Sequence, residues 1–548
     1  MEINYIIKTL LSKRGIDSEE EIQEFLSPKP RKTYDPLLLP DMEAGADLIL
    51  QEIRNGSRIM IYGDYDADGI TATTLMMSVL GHLMKDRPED LEYYIPSRFG
   101  EGYGLNPEAI RFIHDKGFDL IVTVDCGSVS KDEVRYAEEL GMKVLVTDHH
   151  TITDTMAECL LINPKKPGSV YPFKELCGCG VAFKLAQTLQ KKAGLPKSIL
   201  TEVLDLVAIG TIGDIMPLVD ENRTLVKYGL KVINQGMRPG LKELIIGAGL
   251  TPGNVSSENV GFVIVPHLNA SGRIEDASWA VKLLLSKGND PELSDIVDDI
   301  IFKNKERKRI QTDTYRACME LAENEDFMII RCDAAHEGIA GIVAGKIKDH
   351  FYRPTVICMP SQGEEGLLKG TGRSIEGISL YEMLKKHEEL FIKFGGHSGA
   401  CGFTMKEEDF EELKKGLLRD ISEIKESDPG VFERKYPWDM DLDPDDVTPE
   451  LADKLELLSP FGNGNPKPVF RIRNVRLRDA RNMGADGKHA RFTVHEGSRY
   501  INCVLFNKAE EYSDMLNDGE KHDIAGSLET QFWQGQKRMQ FIVENMID

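Results

Sequence analysis

Between residues 58 and 163, short unbroken apolar runs alternate with segments of helical period. The runs are RIMIY (58–62), LEYYIP (91–96), DLIVTVD (119–125), KVLVTD (143–148) and CLLIN (159–163). Helical patterns lie between them over about 70–85, 106–116 and 130–140. Apolar strands that lack polar alternation are buried on both faces, so this stretch predicts a parallel sheet with helices on either side. Helical patterns then dominate from about 180 to 325 and end in a long polar helix over about 290–324. A second α/β block is predicted over 326–424, with FMIIRC (327–332) and PTVICM (354–359) as strands and GIAGIVAGKIKDHF (338–351) as the helix between them. An acidic, proline-punctuated linker, 425–446, leads into short alternating strands: PVFRIRNVRLRDA, ARFTVHEG, YINCVLF, HDIAGSLET and RMQFIVENM. Short alternating strands of this kind predict a small β-barrel.

Composition narrows the class. The 548 residues are 41% hydrophobic and 29% charged, enough apolar material for several cores. No signal peptide is found, and no apolar run approaches the roughly 20 residues of a membrane span. The nine cysteines are scattered without a CxxC, so reduced thiols in a cytoplasmic protein are expected. A net charge of −23 argues against indiscriminate coating of nucleic acid. Any polyanion site must then be a local basic channel. Two runs qualify, IFKNKERKRI (301–310) and FRIRNVRLRDAR (470–481), although charge runs are usually solvated faces.

The chemistry gathers at strand ends. GDYDADGIT (63–71) puts Asp64, Asp66 and Asp68 at alternate positions just past an apolar strand. These carboxylates repel one another unless a cation sits among them. Asp125 follows the third strand and Asp148, His149 and His150 the fourth; Asp214 lies in a glycine-flanked turn after an apolar helix. Functional groups of a parallel sheet collect at its carboxyl edge, so separate segments deliver these groups to one place. An EF-hand reading of DYDADG fails, because its twelfth position is Leu75. HEGIA (336–340) lacks the second histidine of a zinc-protease helix, GHSGA (396–400) lacks the final glycine of a nucleophile elbow, and GIVAGKI (341–347) is too short for a P-loop. Carboxylates with imidazole and no thiolate favour hard to borderline cations, and imidazole tilts the choice from magnesium toward manganese. Four or five acidic groups suit two ions, a pairing that fits hydrolysis at phosphorus.

DYDADG, VTVDCG around Asp125, DHH and GTIGDIMPL around Asp214 resemble the motifs of the DHH phosphoesterase superfamily. With PHLNASGRI (266–274), HEGIAGIVAGKI (336–347), GTGRS (370–374), FGGHSGACG (394–402) and SPFGNGNPKPVF (459–470), nearly the whole chain resembles the RecJ family of bacterial single-stranded-DNA-specific 5′→3′ exonucleases. The resemblance implies a DHH phosphoesterase domain with an N-terminal extension over 1–240, a connecting helical segment over 241–325, a DHH-associated substrate-binding domain over 326–424, a linker over 425–446 and an OB-fold over 447–548. It implies Asp66, Asp68, Asp125, His149 and Asp214 as ligands of two divalent ions, manganese preferred and magnesium the alternative. Asp125 would bridge the ions, and His150 would sit beside the scissile phosphate. Where many members carry a histidine four residues before Asp66, this chain has Tyr62, and Asp64 is read as taking over part of that role.

For DNA, the resemblance implies Arg98, Arg273, Arg373, Ser374, Gly396 and His397, with Arg471 and Arg473 on one face of a barrel strand. Phe470, Phe492, Phe506, Phe532 and Trp533 are the candidate stacking platforms, most of them expected to be core. The products would be 5′-mononucleotides, in DNA repair and recombination. Single-stranded DNA, single-strand-binding protein and a RecQ-type helicase would be the partners, with no membrane, and a monomer is expected. Smaller superfamily members that hydrolyse short substrates need neither this length nor a barrel.

Overall fold

The computed structural model describes residues 5–97, 101–153, 155–274, 276–361, 364–484, 486–496, 499–533 and 536–547. The first sheet consists of β1 (Ile59–Tyr62), β2 (Leu91–Tyr94), β3 (Leu120–Val124), β4 (Lys143–Thr147) and β5 (Leu160–Ile162). They are ordered β2-β1-β3-β4-β5, and every pairing is parallel. The strand order reverses beside β1, so the carboxyl ends of β1 and β3 flank a switch point, where α/β sheets place their sites. Residues of β1 and β3 are buried throughout, as their unbroken apolar runs require. The helices Ala67–Leu83 and Gly178–Ala193 pack in one core against β1 and β3, and Pro107–Asp115 and Lys131–Glu139 cover the other face.

The second sheet holds β6 (Met328–Arg331), β7 (Thr355–Pro360), β8 (Leu367–Arg373), β9 (Phe391–His397) and β10 (Ala400–Lys406), in the order β6-β7-β8-β10-β9. Only β6 and β7 run parallel; β8, β9 and β10 are antiparallel and carry the glycine-rich motifs. These three strands had no apolar signature, because glycine removes the side chains that would mark an alternation. The helix Glu337–Phe351 connects β6 to β7, and the long helix Leu293–Leu321 leads in from the first unit.

The C-terminal sheet comprises β11 (Met440–Asp441), β12 (Phe470–Met483), β13 (His489–Glu496), β14 (Arg499–Leu505), β15 (Lys521–Trp533) and β16 (Gln536–Ile547). Its strands run β12-β13-β14-β16-β15, and β12 pairs back to β15, closing a five-stranded OB-fold barrel. β11 adds a parallel strand to β12, so the acidic stretch before the barrel contributes to its sheet. The barrel core also takes in Ile6, Ile7, Leu10, Leu11 and Ile22 from the two N-terminal helices. Chain ends far apart in sequence therefore share one core.

Candidate metal centre and nucleic-acid cleft

The carboxylates converge because three strand ends and two helix termini meet at one edge. Asp66 caps the Ala67–Leu83 helix, its Oδ1 accepting the N–H groups of Asp68 (2.9 Å) and Gly69 (3.1 Å). Asp68 lies in the first turn and is buried. Its carboxylate accepts the N–H groups of Gly178 (2.6 Å) and Cys179 (2.9 Å), the first residues of the Gly178–Ala193 helix. A helix N-terminus attracts negative charge, so these two N–H groups hold the Asp68 carboxylate in place. Asp125 stands at φ 64, a left-handed conformation that aspartate tolerates better than most residues. A side chain at Gly178 would place its Cβ 2.4 Å from the Asp125 Cβ, so only glycine lets this helix approach.

His149 ties the segments together. Its Nε2 lies 3.1 Å from Asp125 Oδ1, 3.4 Å from Asp214 Oδ2 and 3.8 Å from Asp68 Oδ2. Beside the grouping of Asp125, Asp148, His149 and His150 at the DHH turn, two further groupings each bring three ligand atoms within 4.8 Å of one another: Asp68, His149 and Asp214, and Asp64, Asp66 and Asp125. The short Asp125–His149 contact links them. Among the described residues, Asp125 Oδ1, Asp214 Oδ2 and both ring nitrogens of His149 have no hydrogen-bond partner although they are buried. Buried polar atoms are nearly always satisfied, so a cluster of such orphans is what a cation cradle looks like without its ion.

Electrostatics give the same result. Burial first, and then the charge of Asp68, push the pKa of Asp66 upward. Burial and the charges of Asp68, Asp66, Asp64 and Asp214 push Asp125 well upward. Burial, then Asp68 and Asp66, raise Asp214 to about 8. Burial lowers His149 to about 4, outweighing the neighbouring carboxylates, so its ring is neutral with a lone pair to donate. Carboxylates that resist ionisation beside a neutral imidazole fit divalent cations, and the oxygen and nitrogen donor set fits manganese or magnesium.

The other residues of the DHH turn have separate roles. Burial would raise Asp148, but the hydrogen bond from His150 and the nearby imidazole charge outweigh it and hold the carboxylate well below its usual range. Asp148 accepts from Ser128 N (2.9 Å), His149 N (2.7 Å) and His150 Nδ1 (2.7 Å), which fixes the turn. Burial would lower His150, but the Asp148 bond and charge raise it to about 9, making it an imidazolium at neutral pH. Tyr103, which the sequence pattern did not single out, sets its hydroxyl 3.1 Å from the Asp125 carbonyl and 3.0 Å from His150 Nδ1. Tyr62 turns away from the cluster: it is buried, donates to Gly104 O at 2.9 Å and stacks on Tyr94. It braces the 101–106 loop, while Asp64 stands with Asp66 and Asp125.

A groove of about 400 Å³ adjoins the cluster, with Tyr65 on one wall and Gly370, Gly395, Gly402, Lys369 and Lys393 of the second sheet on the other. Arg273 crosses between the units and donates to Gly338 O at 2.8 Å, in the first turn of the Glu337–Phe351 helix. Arg373 lies beside the same helix, where a Cβ at Gly341 would meet its Nη2 at 3.0 Å. Register aligns Arg373, Ala400 and His397 across β8, β10 and β9, so Arg373 and His397 share a face about 10 Å apart. Ser374 Oγ donates to Ile378 O at 2.7 Å. Gly396 has φ 145, and a Cβ there would lie 2.4 Å from Ala400 O. Arg98 lies outside the described residues.

On the barrel, Arg471 and Arg473 both reach Asp441, Arg471 Nε at 2.7 Å, and Arg471 also stacks on Trp438. Phe470 and Phe492 are core, and Phe506 is exposed. The side chains of Phe532 and Trp533 lie outside the described set. Exposed Tyr500, stacked on His495 with centroids 4.1 Å apart, is an aromatic surface that the sequence pattern did not reveal. The 301–310 run is mostly committed: Arg307 is buried against Asn304 and Gln311, and Arg309 pairs with Glu306 and Asp313.

Comparison with known proteins agrees with this geometry. The DHH family, N-terminal domain, matches residues 58–211, the DHHA1 domain 324–423 and the RecJ OB domain 438–545. The single-stranded-DNA-specific exonuclease RecJ of Bacillus subtilis (strain 168) is 38% identical over 552 residues, 100% of this chain and 68% of that protein. The chain belongs to the RecJ family. RecJ of Thermus thermophilus in complex with Mn2+ superposes with a TM-score of 0.81 at 29% identity, covering 98% of this chain and 75% of that one. Its complex with Mg2+ gives 0.75 at 27% identity, covering 98% and 74%. Those two RecJ complexes hold the two cations that the donor set of this chain suits. No described helix is long and apolar enough to cross a membrane.

Proposed function

We propose that the chain is a metal-dependent 5′→3′ exodeoxyribonuclease that hydrolyses single-stranded DNA to 5′-mononucleotides. The observation that carries the reading is the pair of ligand groupings, joined through Asp125 and His149, beside a groove walled by two different units. Two divalent ions, manganese preferred and magnesium the alternative, would be held by Asp64, Asp66, Asp68, Asp125, His149 and Asp214, with Asp125 between them. When bound, they supply Lewis acidity to phosphate oxygens and lower the pKa of the attacking water.

The chain's own residues do the rest. His150, kept an imidazolium by Asp148, hydrogen-bonds a phosphate oxygen and offsets charge that develops in the transition state. Asp148 fixes its direction, and Tyr103 restricts its rotation. Arg273 and Arg373 flank a helix N-terminus, where guanidinium forks and backbone N–H groups suit a phosphate. Ser374, Gly396 and His397 line the same sheet edge. The first-turn Glu337 is neutralised by Lys369 at 2.6 Å, so it does not oppose an anion. Anchored by these groups, a strand would enter with one backbone direction. A duplex end meets protein on both walls. A role in repair and recombination, with single-strand-binding protein and a RecQ-type helicase as partners, belongs to the same proposal.

The deciding assay uses Mn2+ and single strands labelled at the 5′ or the 3′ end. The expected result is immediate release of a labelled 5′-mononucleotide, with the 3′ label persisting on shortening products and blunt duplex resistant. Early loss of the 3′ label would overturn the polarity.

A further inference from the structure

The turn that carries Asp214 is held from the other end of the chain. Asp214 ends the Leu204–Gly213 helix, and the next residue, Ile215, has φ 55. A β-branched residue in the left-handed region is strained and persists only where its surroundings impose it. The turn closes on its own helix, Ile215 N donating to Ile212 O at 3.2 Å and Met216 N to Thr211 O at 3.0 Å, and the segment 459–465 restrains it from outside. Asn463 Nδ2 donates to Ile215 O at 2.7 Å, and Leu218 N donates to Asn463 O at 2.7 Å. The segment is itself rigid: Gly462 and Asn465 exchange two backbone hydrogen bonds, and the buried Asn465 side chain donates to Leu458 O and Pro460 O. It is clamped to the first unit by Arg223, which donates to Ser459 O at 2.8 Å, and by Ser257, which donates to Phe461 O at 2.7 Å. A loop entering the barrel thus grips the chain just after Asp214, at Ile215 and Leu218.

We infer that Asn463 is a positioning residue for the metal centre: by holding the Ile215 carbonyl it fixes the strained turn that aims Asp214 at the cations. The inference rests on the reading of Asp214 as a ligand. Without the amide donor, Ile215 relaxes toward negative φ and Asp214 swings from the Asp68 and His149 groups it faces. A single hydrogen bond at the rim of the protein predicts about a fivefold loss of cation affinity.

The test is Mn2+ binding to the full chain by titration calorimetry, with melting temperatures as a check on folding. N463A and N463D should each weaken Mn2+ about fivefold, N463D because it keeps the shape and loses the donor. kcat should fall with KM for single strands unchanged, since the groove is intact. Glycine adopts positive φ at no cost, so I215G should restore affinity in the N463A background. Wild-type affinity in both Asn463 variants would overturn the inference, as would an equal loss in N463A and N463A/I215G, which would mean general loosening. D214N separates the two claims: if it binds Mn2+ like wild type, the ligand reading itself fails, and if it is weakened while N463A is not, only the positioning role fails.

Discussion

His149 Nε2 and Asp125 Oδ1 stand 3.1 Å apart, from the ends of neighbouring parallel strands, and this contact joins the two ligand groupings. A carboxylate in that position serves both groupings, so its loss should be the most damaging single change at the site. Asp125 is also at φ 64, and alanine there would add backbone strain to the loss of the ligand. D125N is the cleaner variant, because asparagine accepts the left-handed region. It should lose at least ~10³-fold in single-turnover rate. Without metal it should melt near wild type, because the Asp125 carboxyl, pushed well upward by burial and its acidic neighbours, already holds its proton there. Activity within tenfold of wild type would contradict the central role of Asp125.

The raised carboxylates set a pH dependence for the metal-free protein. Asp214 reaches about 8, and Asp66 and Asp125 shift in the same direction. An acid whose folded pKa lies above its unfolded value stabilises the fold below the unfolded pKa and loses that contribution as pH rises through the folded one. With chelator present, the melting temperature should therefore fall as pH rises from about 4 toward about 8, the window that Asp214 sets. Cation binding must displace the retained protons, so calorimetry at pH 7 in buffers of different ionisation enthalpy should register release of about one proton per chain. A flat melting profile with no proton release would mean that the cluster is already ionised without metal.

Much of this candidate site was legible because its proposed ligands follow β1, β3 and β4, whose apolar runs are buried on both faces and so announce themselves. The helix bearing Asp214 was visible for the same reason. Three things were not. β8, β9 and β10 read as glycine motifs because their groove-lining glycines erase the strand pattern. Tyr62 and Asp64 are two residues apart, yet only the pleat and the Gly104 contact show that the first braces a loop while the second stands beside Asp66 and Asp125. The Asn463–Ile215 contact and the N-terminal helices in the barrel core join residues hundreds of positions apart, and no local period encodes such pairings.

Metal preference should trace to His149. Its ring is neutral down to about pH 4, so a nitrogen donor is present throughout the working range. After chelation, manganese should restore more activity than magnesium, and calcium little, because imidazole favours the softer ion. In H149A the remaining donors are all oxygen, so the manganese advantage should shrink toward parity while the overall rate drops. An undiminished manganese preference in H149A would place the discriminating nitrogen elsewhere.

Arg471 and Arg473 bear on how the barrel holds DNA, and their surroundings rule out testing this by truncation. Cutting the chain at the barrel would strip the Tyr5–Ser12 and Glu19–Leu26 helices of their core and remove the segment that grips the Asp214 turn. A point change is needed instead. Both arginines converge on Asp441, an exposed acid that competes with DNA phosphates for the same guanidinium groups. Exposed ion pairs are weak and screened by salt, so phosphates can exchange for Asp441, and removing it should free Arg473 and leave Arg471 only its longer contact with Asp523 at 3.6 Å. D441A should tighten binding of long single strands and steepen the salt dependence by roughly 0.7 in slope for each additional phosphate neutralised. R471A/R473A should flatten the slope by a similar amount and leave cleavage of very short strands unchanged. Fluorescence anisotropy over a salt series measures both. If neither variant moves the slope, the arginines belong to a structural cluster with Asp441 and Trp438, and the strand leaves the catalytic groove by another face.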